Sequence, residues 1–456
     1  MIHAMRFLNL LVLVLTLTPA MVAAVDDDDV RKPVEAQPMR PSIHSRSLPR
    51  VIQLAEENSP NIKKAKNALE IAEREKDNAF WRFFPTLDLE GKHGLLDDNI
   101  STKASPSFSE VNLVLKEHLY DPDQNATLAR YRLHKAKYER AQMEYQYQRD
   151  EQLMRVAQAY LDWSASLQQR EIDENKRDLL RRQYNVLDAQ YKQGQKTRRD
   201  VLRIETEIKR LGMDILRRDN EIDLGFQKLA ASVGLSQKDL ESYKIEGEEA
   251  KPYGIVGTDP EELRVSDHMR SRIFERREEE LAQETAFAKR NYWPRVSFEG
   301  ELKYNNHDYL NRRITWPENE SWTWSALVVL RYNFWDFGIR RRDMEIAQIK
   351  ERNVADENRQ SLFDLATELR DVFLRLREYR ENVKTSRELL VLEQQSYSIL
   401  EAEYRNGRAS YLDLITNLNS LIDARSKFMS SYFGMKKQQV LYSFHSGALY
   451  KDLKKN

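Results

Sequence analysis

The second half of this sequence of 456 residues repeats the first half, and this duplication constrains the fold more than any other feature. The segment from Tyr184 to Gly194 aligns with the segment from Tyr397 to Gly407 at a shift of 213 residues, and Asp200 aligns with Asp413 at the same shift. Because the alignment continues without an insertion over some fifty residues, chance is a poor explanation. The sequence therefore predicts two copies of one unit, in the order helix, strand, strand, long helix, helix.

The repeat sets the predicted boundaries. Repeat 1 covers residues 48–241, with strands at about 86–95 and 109–119 and a tip at residue 194; repeat 2 covers residues 260–449, with strands at about 295–305 and 321–335 and a tip at residue 407. A connector over residues 242–259 joins the repeats, and residues 450–456 form a C-terminal tail. In each repeat a proline, Pro85 or Pro294, stops the first helix and marks the start of the first strand.

The helices of both repeats are predicted to be long and to pack as coiled coils. After each tip, and on the helix before the second tip, residues that are apolar except for Asn417 recur at spacings of three and four, as in a heptad seam. The three rows are Val201, Ile204, Ile208, Leu211 and Ile215; Leu414, Asn417, Leu421, Ala424 and Phe428; and Leu362, Leu365, Leu369, Val372 and Leu376. A helix of about 65 residues would be roughly 100 Å long, at ~1.5 Å per residue.

The first residues carry a targeting signal. Arg6 precedes an apolar run from Leu8 to Leu17, which is too short to span a bilayer and is followed by small residues that end at Ala24. This pattern predicts a cleaved secretory signal peptide over residues 1–24, with an uncleaved anchor as the alternative. Residues 25–47 are acidic and then rich in proline, and they are predicted to be a flexible N-terminal tail.

Composition excludes several other classes of protein. With no cysteine, the chain has no disulfide, no thiolate metal site and no lipid-bearing cysteine. A charged fraction of 32% excludes a protein with many membrane-spanning helices, and 73 basic against 73 acidic residues argues against a nucleic-acid partner. The eight histidines show no metal-ligand spacing, and nucleotide-binding and hydrolase motifs are missing, so we predict no enzyme activity, no metal and no cofactor.

The last pair of predicted strands has the pattern of a membrane β-strand. One alternating face carries aromatic residues at both ends with small and aliphatic residues between them, and the opposite face is mostly polar. The predicted lipid-facing aromatic residues are Trp322, Trp324, Tyr332 and Phe334, with Phe298 and Tyr304 on the partner strand. Aromatic girdles that flank an apolar band are typical of outer-membrane barrels. A strand in a soluble core would explain the alternation but not the aromatic ends.

Four strands are too few to close a barrel, since bacterial outer-membrane barrels have about eight strands or more. Several protomers would therefore share one barrel. A shared barrel continued by a ring of long helices would form a channel-tunnel.

With these features the sequence resembles the TolC family of outer-membrane efflux proteins, over about Leu48 to Leu449. The resemblance depends on motifs that occur in a fixed order. They are Phe84-Pro85-Thr-Leu-Asp-Leu and Trp293-Pro294-Arg-Val-Ser-Phe, Leu119-Tyr120-Asp121 and Phe334-Trp335-Asp336-Phe337-Gly338, Tyr191 to Gly194 and Tyr404 to Gly407, and Val156-Ala-Gln-Ala-Tyr160-Leu. Each motif alone is weak, but their order and spacing behind a signal peptide are specific.

The resemblance implies a mainly α protein with a small β part. Tandem-duplicated coiled-coil hairpins would form an α-barrel, and four strands per protomer would contribute to a trimeric, twelve-stranded outer-membrane β-barrel. The homotrimer would lie in outer-membrane lipid, with its helical part in the periplasm. It would bind a periplasmic adaptor (membrane fusion) protein and an inner-membrane transporter, either a proton-driven pump or an ATP-driven exporter as in type I secretion. It would passively conduct drugs, metals or secreted polypeptides to the exterior.

The resemblance also places adaptor docking and gating at the two helical tips. Gly194 and Gly407 would provide the backbone freedom that a tight turn needs. Asp200 and Asp413 follow the glycines, and capping of the next helix is one role that would suit both acids. The alternative for Asp413 is a ring of three carboxylates, one from each protomer, that narrows the closed pore and favours cations.

Two further residues belong to the predicted gate. Family members often have a second acid three residues after the position of Asp413, but this sequence has Thr416 there, so the acidic constriction would be weaker. Asp200 and Tyr404 would face each other across the two hairpins, and we predict a hydrogen bond between them that latches the closed state.

One other interpretation of the sequence stays open, which is a periplasmic coiled-coil protein without a pore, either a structural rod or an adaptor. An adaptor should contain a glycine-rich β module between its helical halves. A rod would not need four strands with aromatic edges.

Overall fold

The computed structural model describes residues 48–95, 107–120, 127–250, 261–290, 294–308, 320–332 and 334–455. The predicted signal peptide and N-terminal tail, and residues 251–259 of the predicted connector, lie outside the described residues. In the described part the two halves share one order of elements: helix, two strands, a very long helix and a second long helix.

The first half contains α1 (Leu48–Asn58), α2 (Pro60–Trp81), β1 (Thr86–Leu95), β2 (Ser107–Tyr120), α3 (Thr127–Lys192), α4 (Arg198–Val233) and α5 (Gln237–Ser242). In the second half a 3₁₀ turn (Val265–Asp267) precedes α6 (Met269–Arg290), β3 (Arg295–Asp308), β4 (Glu320–Arg331), α7 (Ile339–Arg405), α8 (Tyr411–His445) and α9 (Leu449–Lys455). The predicted fold class, mainly α with one small sheet, is confirmed. Within the described residues, every helix is too short or too polar to cross a membrane.

The two longest helices, α3 with 66 residues and α7 with 67, form helical hairpins with α4 and α8. The predicted apolar rows are the contact surfaces of these hairpins. Their buried members include Val201, Ile204, Leu211 and Ile215 on α4, and Leu365, Leu369, Val372 and Leu376 on α7. Because burying one aliphatic side chain contributes about 1.5–3 kcal/mol, packing and not helix propensity stabilises helices of this length.

The largest hydrophobic core lies where α1, α3, α4 and α8 pack together. Leu54, Leu153, Leu229 and Phe433 come from these four helices, and all are almost completely buried. Helices α2 and α6 then lead along α3 into β1 and β3. The core thus connects the two hairpins to the sheet.

The first helix is divided, which corrects the prediction of one helix that continues to Pro85. Pro60 has no amide hydrogen and restricts the residue before it, so α1 ends at Asn58 and α2 begins with the proline. The break packs closely against the end of α4. Gly234 has a φ of +88°, and a Cβ on it would lie 2.7 Å from the carbonyl oxygen of Asn58, so only glycine fits there.

A short helix at the C-terminus corrects a predicted tail, and another short helix ends repeat 1. Residues 449–455 form α9 and not a C-terminal tail, because Leu449 and Leu453 lie one helical turn apart and are both buried in the core. Helix α5 immediately precedes the connector. The hydroxyl of Ser236 caps it by accepting the amide N–H of Asp239.

All four strands form one antiparallel sheet in the order β1-β2-β3-β4. The pairing of β2 with β3 joins the two halves of the chain. Strand β4 ends at Arg331 and not at the predicted residue 335, because Arg331 pairs with Arg295 and the residue before Arg295 is Pro294. Proline has no N–H for the ladder, so pairing stops there.

Candidate functional site: an inverted sheet and two helical tips

The register of the sheet gives it one apolar and one polar face. Residues that pair across neighbouring strands lie on the same face. The apolar face carries Leu87 and Leu89 on β1; Val111, Leu113 and Leu115 on β2; Val296, Phe298, Leu302 and Tyr304 on β3; and Trp322, Trp324, Ala326, Val328 and Leu330 on β4. The opposite face is mostly polar. It carries Glu90, Asn112, Glu301 and Lys303, together with the apolar side chains of Val114, Leu327 and Val329.

The apolar face is the exposed one. Trp324 is 79% exposed, Val328 68% and Trp322 67%. On the polar face, Asn112 is only 3% exposed and Ser297 only 9%. This arrangement is the reverse of a sheet in a water-soluble protein, where the apolar face is buried against the core. The apolar face therefore needs another surface to cover it, and hydrocarbon chains of a bilayer suit it chemically.

Four of the six predicted lipid-facing aromatic residues lie on this apolar face. Tyr304 and Trp322 are cross-strand partners whose ring centroids are 5.0 Å apart, and Trp324 and Phe298 lie further along the same face. The other two, Tyr332 and Phe334, are exposed but lie beyond the end of β4.

The turn after β4 presents two more exposed aromatic side chains, Trp335 and Phe337, whose ring centroids are 6.0 Å apart. Phe337 has a φ of +53°, which is rare for a bulky residue. Asp336 holds the turn because its carboxylate accepts the amide N–H of Gly338 at 3.0 Å and the guanidinium of Arg340 at 2.6 Å. No pattern in the sequence indicates the positive φ of Phe337.

Pro85 and Pro294 lie immediately before β1 and β3, at the start of each repeat's first strand. Exposed aromatic side chains that contact one another precede the first proline: Phe80, Trp81, Phe83 and Phe84. Because β1 begins and β4 ends at the same end of the antiparallel sheet, this cluster and the turn after β4 lie at that end. Aromatic residues thus lie at both ends of the apolar face, as in a membrane girdle.

The first tip (residues 192–203) and the second tip (residues 405–416) have the same backbone geometry. Gly194 has a φ of +76° and Gly407 a φ of +72°. At the first tip the amide of Gly194 donates to the carbonyl oxygen of Tyr191, and the next amide donates to that of Gln190, both at 2.9 Å. The second tip repeats both bonds, which are those of a Schellman motif.

The predicted tip acids cap the helices that follow. The carboxylate of Asp200 accepts the amide N–H of Thr197 at 3.2 Å and its hydroxyl at 2.7 Å, and the Thr197 hydroxyl oxygen accepts the amide N–H of Asp200. Ser410 and Asp413 make the same three bonds at the second tip. Each tip is therefore a capping box. The hydrogen bond from the Thr197 hydroxyl lowers the pKa of the Asp200 carboxyl.

The structure contradicts the predicted hydrogen bond between Asp200 and Tyr404. The carboxylate is occupied in its capping box, and the buried hydroxyl of Tyr404 has no hydrogen-bond partner among the described residues. Burial, and then the charge of Asp200, raise the pKa of Tyr404. Its ring packs against that of Tyr411, with 6.4 Å between the centroids. Asp200 therefore caps its own helix instead of bonding Tyr404 of the other hairpin.

Thr416, the remaining predicted gate residue, donates its hydroxyl to the carbonyl oxygen of Leu412 at 2.8 Å. This bond lies within α8 and is common for threonine in helices. Thr416 and Asp413 are both exposed, and the carboxylate of Asp413 is the one already bonded to Ser410.

A buried histidine pair lies at the other end of α8. Nε2 of His268 and Nδ1 of His445 are 3.0 Å apart, and the amide N–H of Arg270 donates to Nδ1 of His268, so the proton of that ring is on Nε2. Burial lowers the pKa of both histidines to about 4, with a further contribution from His445 at His268 and from Arg270 at His445. No group of three metal-ligating side chains occurs within the described residues. The pair is therefore a neutral part of the core.

Residues 51–235 match the family model described as outer membrane efflux protein. The match extends from α1 to the end of α4 and confirms the predicted resemblance to TolC-like outer-membrane efflux proteins. Proteins of this family form pores and are not enzymes, in agreement with the prediction made from the motifs. No curated protein sequence matches the chain.

Solved outer-membrane channels have the same fold. The Campylobacter jejuni CmeC outer membrane channel matches with a TM-score of 0.75 at 12% identity, over 90% of this chain and 88% of CmeC. Vibrio cholerae outer membrane protein VceC matches with a TM-score of 0.73 at 15% identity, over 88% of this chain and 96% of VceC. The open state of the Neisseria gonorrhoeae MtrE outer membrane channel matches with a TM-score of 0.73 at 14% identity, over 88% of this chain and 89% of MtrE. This chain therefore has the fold of TolC-like channels.

Proposed function

We propose that this protein is an outer-membrane channel through which substrates leave the periplasm passively. The observation that carries the proposal is the four-stranded sheet with its exposed apolar face. That face suits lipid, and the opposite, polar face suits a water-filled lumen. The family match of residues 51–235 and the fold shared with outer-membrane channels support the same function.

A homotrimer would complete the sheet as a barrel of twelve strands. In the described part of the chain, β1 and β4 each pair with a single strand, so each leaves a free edge. The long helices also expose large apolar side chains, among them Leu216, Phe363, Leu392 and Ile399. Neighbouring protomers would cover both the edges and these side chains.

The helical part would lie in the periplasm and contact a periplasmic adaptor protein through the two tips. The adaptor would connect the channel to an inner-membrane transporter, either a proton-driven pump or an ATP-driven exporter. That transporter would select among drugs, metals and secreted polypeptides. The closed end of the channel would also lie at the tips, with Asp200, Asp413, Tyr404 and Thr416 around it.

Reconstitution tests the channel directly. The full-length protein, extracted in detergent and purified, should have the mass of a trimer by light scattering. Added to a planar lipid bilayer, it should give discrete conductance steps, because a polar lumen conducts ions. From membranes, the protein should be extracted by detergent and not by high salt, since apolar contacts are not screened by ions.

The competing function, a periplasmic rod or adaptor without a pore, gives different results in all three measurements. Such a protein would be released from membranes by high salt and would give no conductance step. A monomer in detergent without conductance would contradict the channel.

A further inference from the structure

The two tips share one backbone geometry but differ in charge. Over residues 192–203 the first tip has five basic residues and one acid, whereas the equivalent residues 405–416 have two basic residues and one acid. The shift of 213 that relates the repeats pairs four cations of the first tip with uncharged residues of the second: Lys196 with Ala409, Arg198 with Tyr411, Arg199 with Leu412, and Arg203 with Thr416.

The fold of a tip does not need these cations. The second tip has the same glycine conformation, the same Schellman bonds and the same capping box without them. Arg198 and Arg199 moreover lie in the first turn of α4, where a positive charge opposes the helix macrodipole. Their presence at the first tip is therefore not explained by the stability of the turn.

Within the described part of the chain, three cations of the first tip form no ion pair, although the charges of Lys196 and Arg199 act on Asp200 and help to lower its pKa. The carboxylate of Asp200 is bonded to Thr197, and the described residues place no carboxylate within salt-bridge distance of Lys196, Arg199 or Arg203. In contrast, Lys192 at the base of this tip pairs with Asp188 at 2.7 Å.

Position and exposure make the cations available to another molecule. Arg198, Arg199 and Arg203 are exposed and Lys196 is half-buried. Arg198 lies over the ring of Tyr191, with its guanidinium carbon 6.0 Å from the ring centroid. Guanidinium groups bind carboxylates through two parallel hydrogen bonds, so this surface is suited to carboxylate side chains.

We propose that the first tip, and not the second, binds an acidic segment of the periplasmic adaptor protein. The inference rests on the proposed function, because it assigns a chemical character to the partner that docks at the tips. The first tip then provides the electrostatic part of recognition, with a dependence on salt, while both tips present an exposed leucine, Leu202 on the first and Leu412 on the second.

Binding of an acidic peptide to the full-length protein in detergent tests this inference. The probe is a helical peptide with one glutamate in each turn, and its control is the same peptide with glutamines. The combined variant Lys196→Gln, Arg199→Gln and Arg203→Gln should bind the glutamate peptide about tenfold more weakly or worse, and its remaining binding should respond little to salt. Arg199→Gln alone should give a smaller loss in the same direction.

The matched control removes the cations of the second tip through Arg405→Gln and Arg408→Gln, and it should bind the peptide within about twofold of the unchanged protein. None of these substitutions touches a capping residue, so thermal unfolding should be unchanged. Unchanged binding by the first-tip variant, or an equal loss in the second-tip control, would overturn the inference. So would binding to phosphatidylglycerol vesicles without binding to the glutamate peptide.

Conductance measurements show whether a negative result contradicts only this inference or the channel function as well. The first-tip variant should still insert into a planar bilayer and give discrete conductance steps, whose size can differ because charges at the closed end change. If the unchanged protein conducts and the first-tip variant still binds the peptide fully, only the assignment of the first tip is wrong. If the unchanged protein does not conduct, the channel function itself is wrong.

Discussion

The helical part and the sheet of this protein place their apolar side chains in opposite ways. In the helical part, side chains such as Leu153, Val233 and Phe433 are buried by contacts within one chain. In the sheet, the largest apolar side chains, Trp322 and Trp324, are exposed. The helical part is therefore stabilised mainly by its own packing, whereas under the proposed function lipid and other protomers would cover the sheet.

The largest effect should come from the helical core. Phe433 is 2% exposed, and Phe433→Ala should lower the free energy of unfolding by about 3–5 kcal/mol, because the lost ring leaves a cavity. Thermal unfolding followed by far-UV circular dichroism measures this effect. Trp324→Ala removes a larger but exposed ring and should change the same transition by less than ~0.5 kcal/mol. Equal destabilisation by the two substitutions would contradict the inference that packing within one chain stabilises the helices but not the apolar face of the sheet.

Acid should also act on the helical part, through His268 and His445. Their folded-state pKa values of about 4 lie below the ordinary value of about 6.5, so the unfolded chain binds more protons between these two values. The free energy of unfolding should therefore fall as the pH drops from about 6.5 to about 4, by about 3 kcal/mol for one proton on the pair. Chemical denaturation at a series of pH values measures the decrease.

Other charged and aromatic groups face the histidine pair, so the pH dependence needs a control variant that changes only the histidines. Arg270 and Glu368 form an ion pair beside it, and the ring of Tyr147 on α3 packs against His268. His445→Gln removes one titrating ring and keeps polar atoms at the site. This variant should show a weaker dependence on pH between 4 and 6.5, and an unchanged dependence would assign the effect to other groups.

The outcome of the two predictions made for Asp200 shows what sequence can and cannot provide. Capping follows from a local signal, because Thr197 stands three residues before the acid. The contact with Tyr404 could not be judged from sequence, because the carboxylate of Asp200 has two possible hydrogen-bond partners, Thr197 and Tyr404. In the structure it bonds Thr197, which is nearer in sequence. The duplication, the apolar rows and the glycine turns were predictable for the same reason, since each is local or periodic.

Features that depend on a neighbouring strand or on a single dihedral angle were harder to predict from the sequence. The end of β4 is determined by Pro294, which lies across the sheet and far away in sequence. The positive φ of Phe337 has no sequence signal, because phenylalanine disfavours it. Helix α9 depends on two leucines that are buried only once the core exists.

A charge on the apolar face should disturb the sheet without affecting the helices. Val328→Arg should make membrane insertion less favourable by about 2 kcal/mol, because the guanidinium must enter the hydrocarbon layer. Ser325→Arg is the matched control, because Ser325 lies on the polar face of the same strand. Flotation with lipid vesicles measures insertion, and thermal unfolding of the helices should be the same in both variants. A larger insertion defect for Ser325→Arg would reverse the assignment of the two faces.

Two glycines inside helices should respond in opposite directions to the same substitution. A Cβ on Gly434 would lie 2.3 Å from the ring of Tyr379, so Gly434→Ala should lower the free energy of unfolding by about 1–2 kcal/mol as α7 and α8 are pushed apart. A Cβ on Gly212 would meet no atom within 4 Å, so Gly212→Ala should raise it by about 0.5–1 kcal/mol through helix propensity. Destabilisation by both would mean that packing at Gly434 is not the cause.

The smallest effect should be at the tips, where the helical part meets solvent and its packing ends. Thr197→Ala and Ser410→Ala each remove one capping box, and each should lower the free energy of unfolding by about 1 kcal/mol, since both caps have the same bonds. Hydrogen exchange of the first-turn amides of α4 and α8 should rise about equally in the two variants. The caps are equal whereas the charges of the tips are not, so equal exchange would assign any difference in adaptor binding to the cations and not to the fold of the turn.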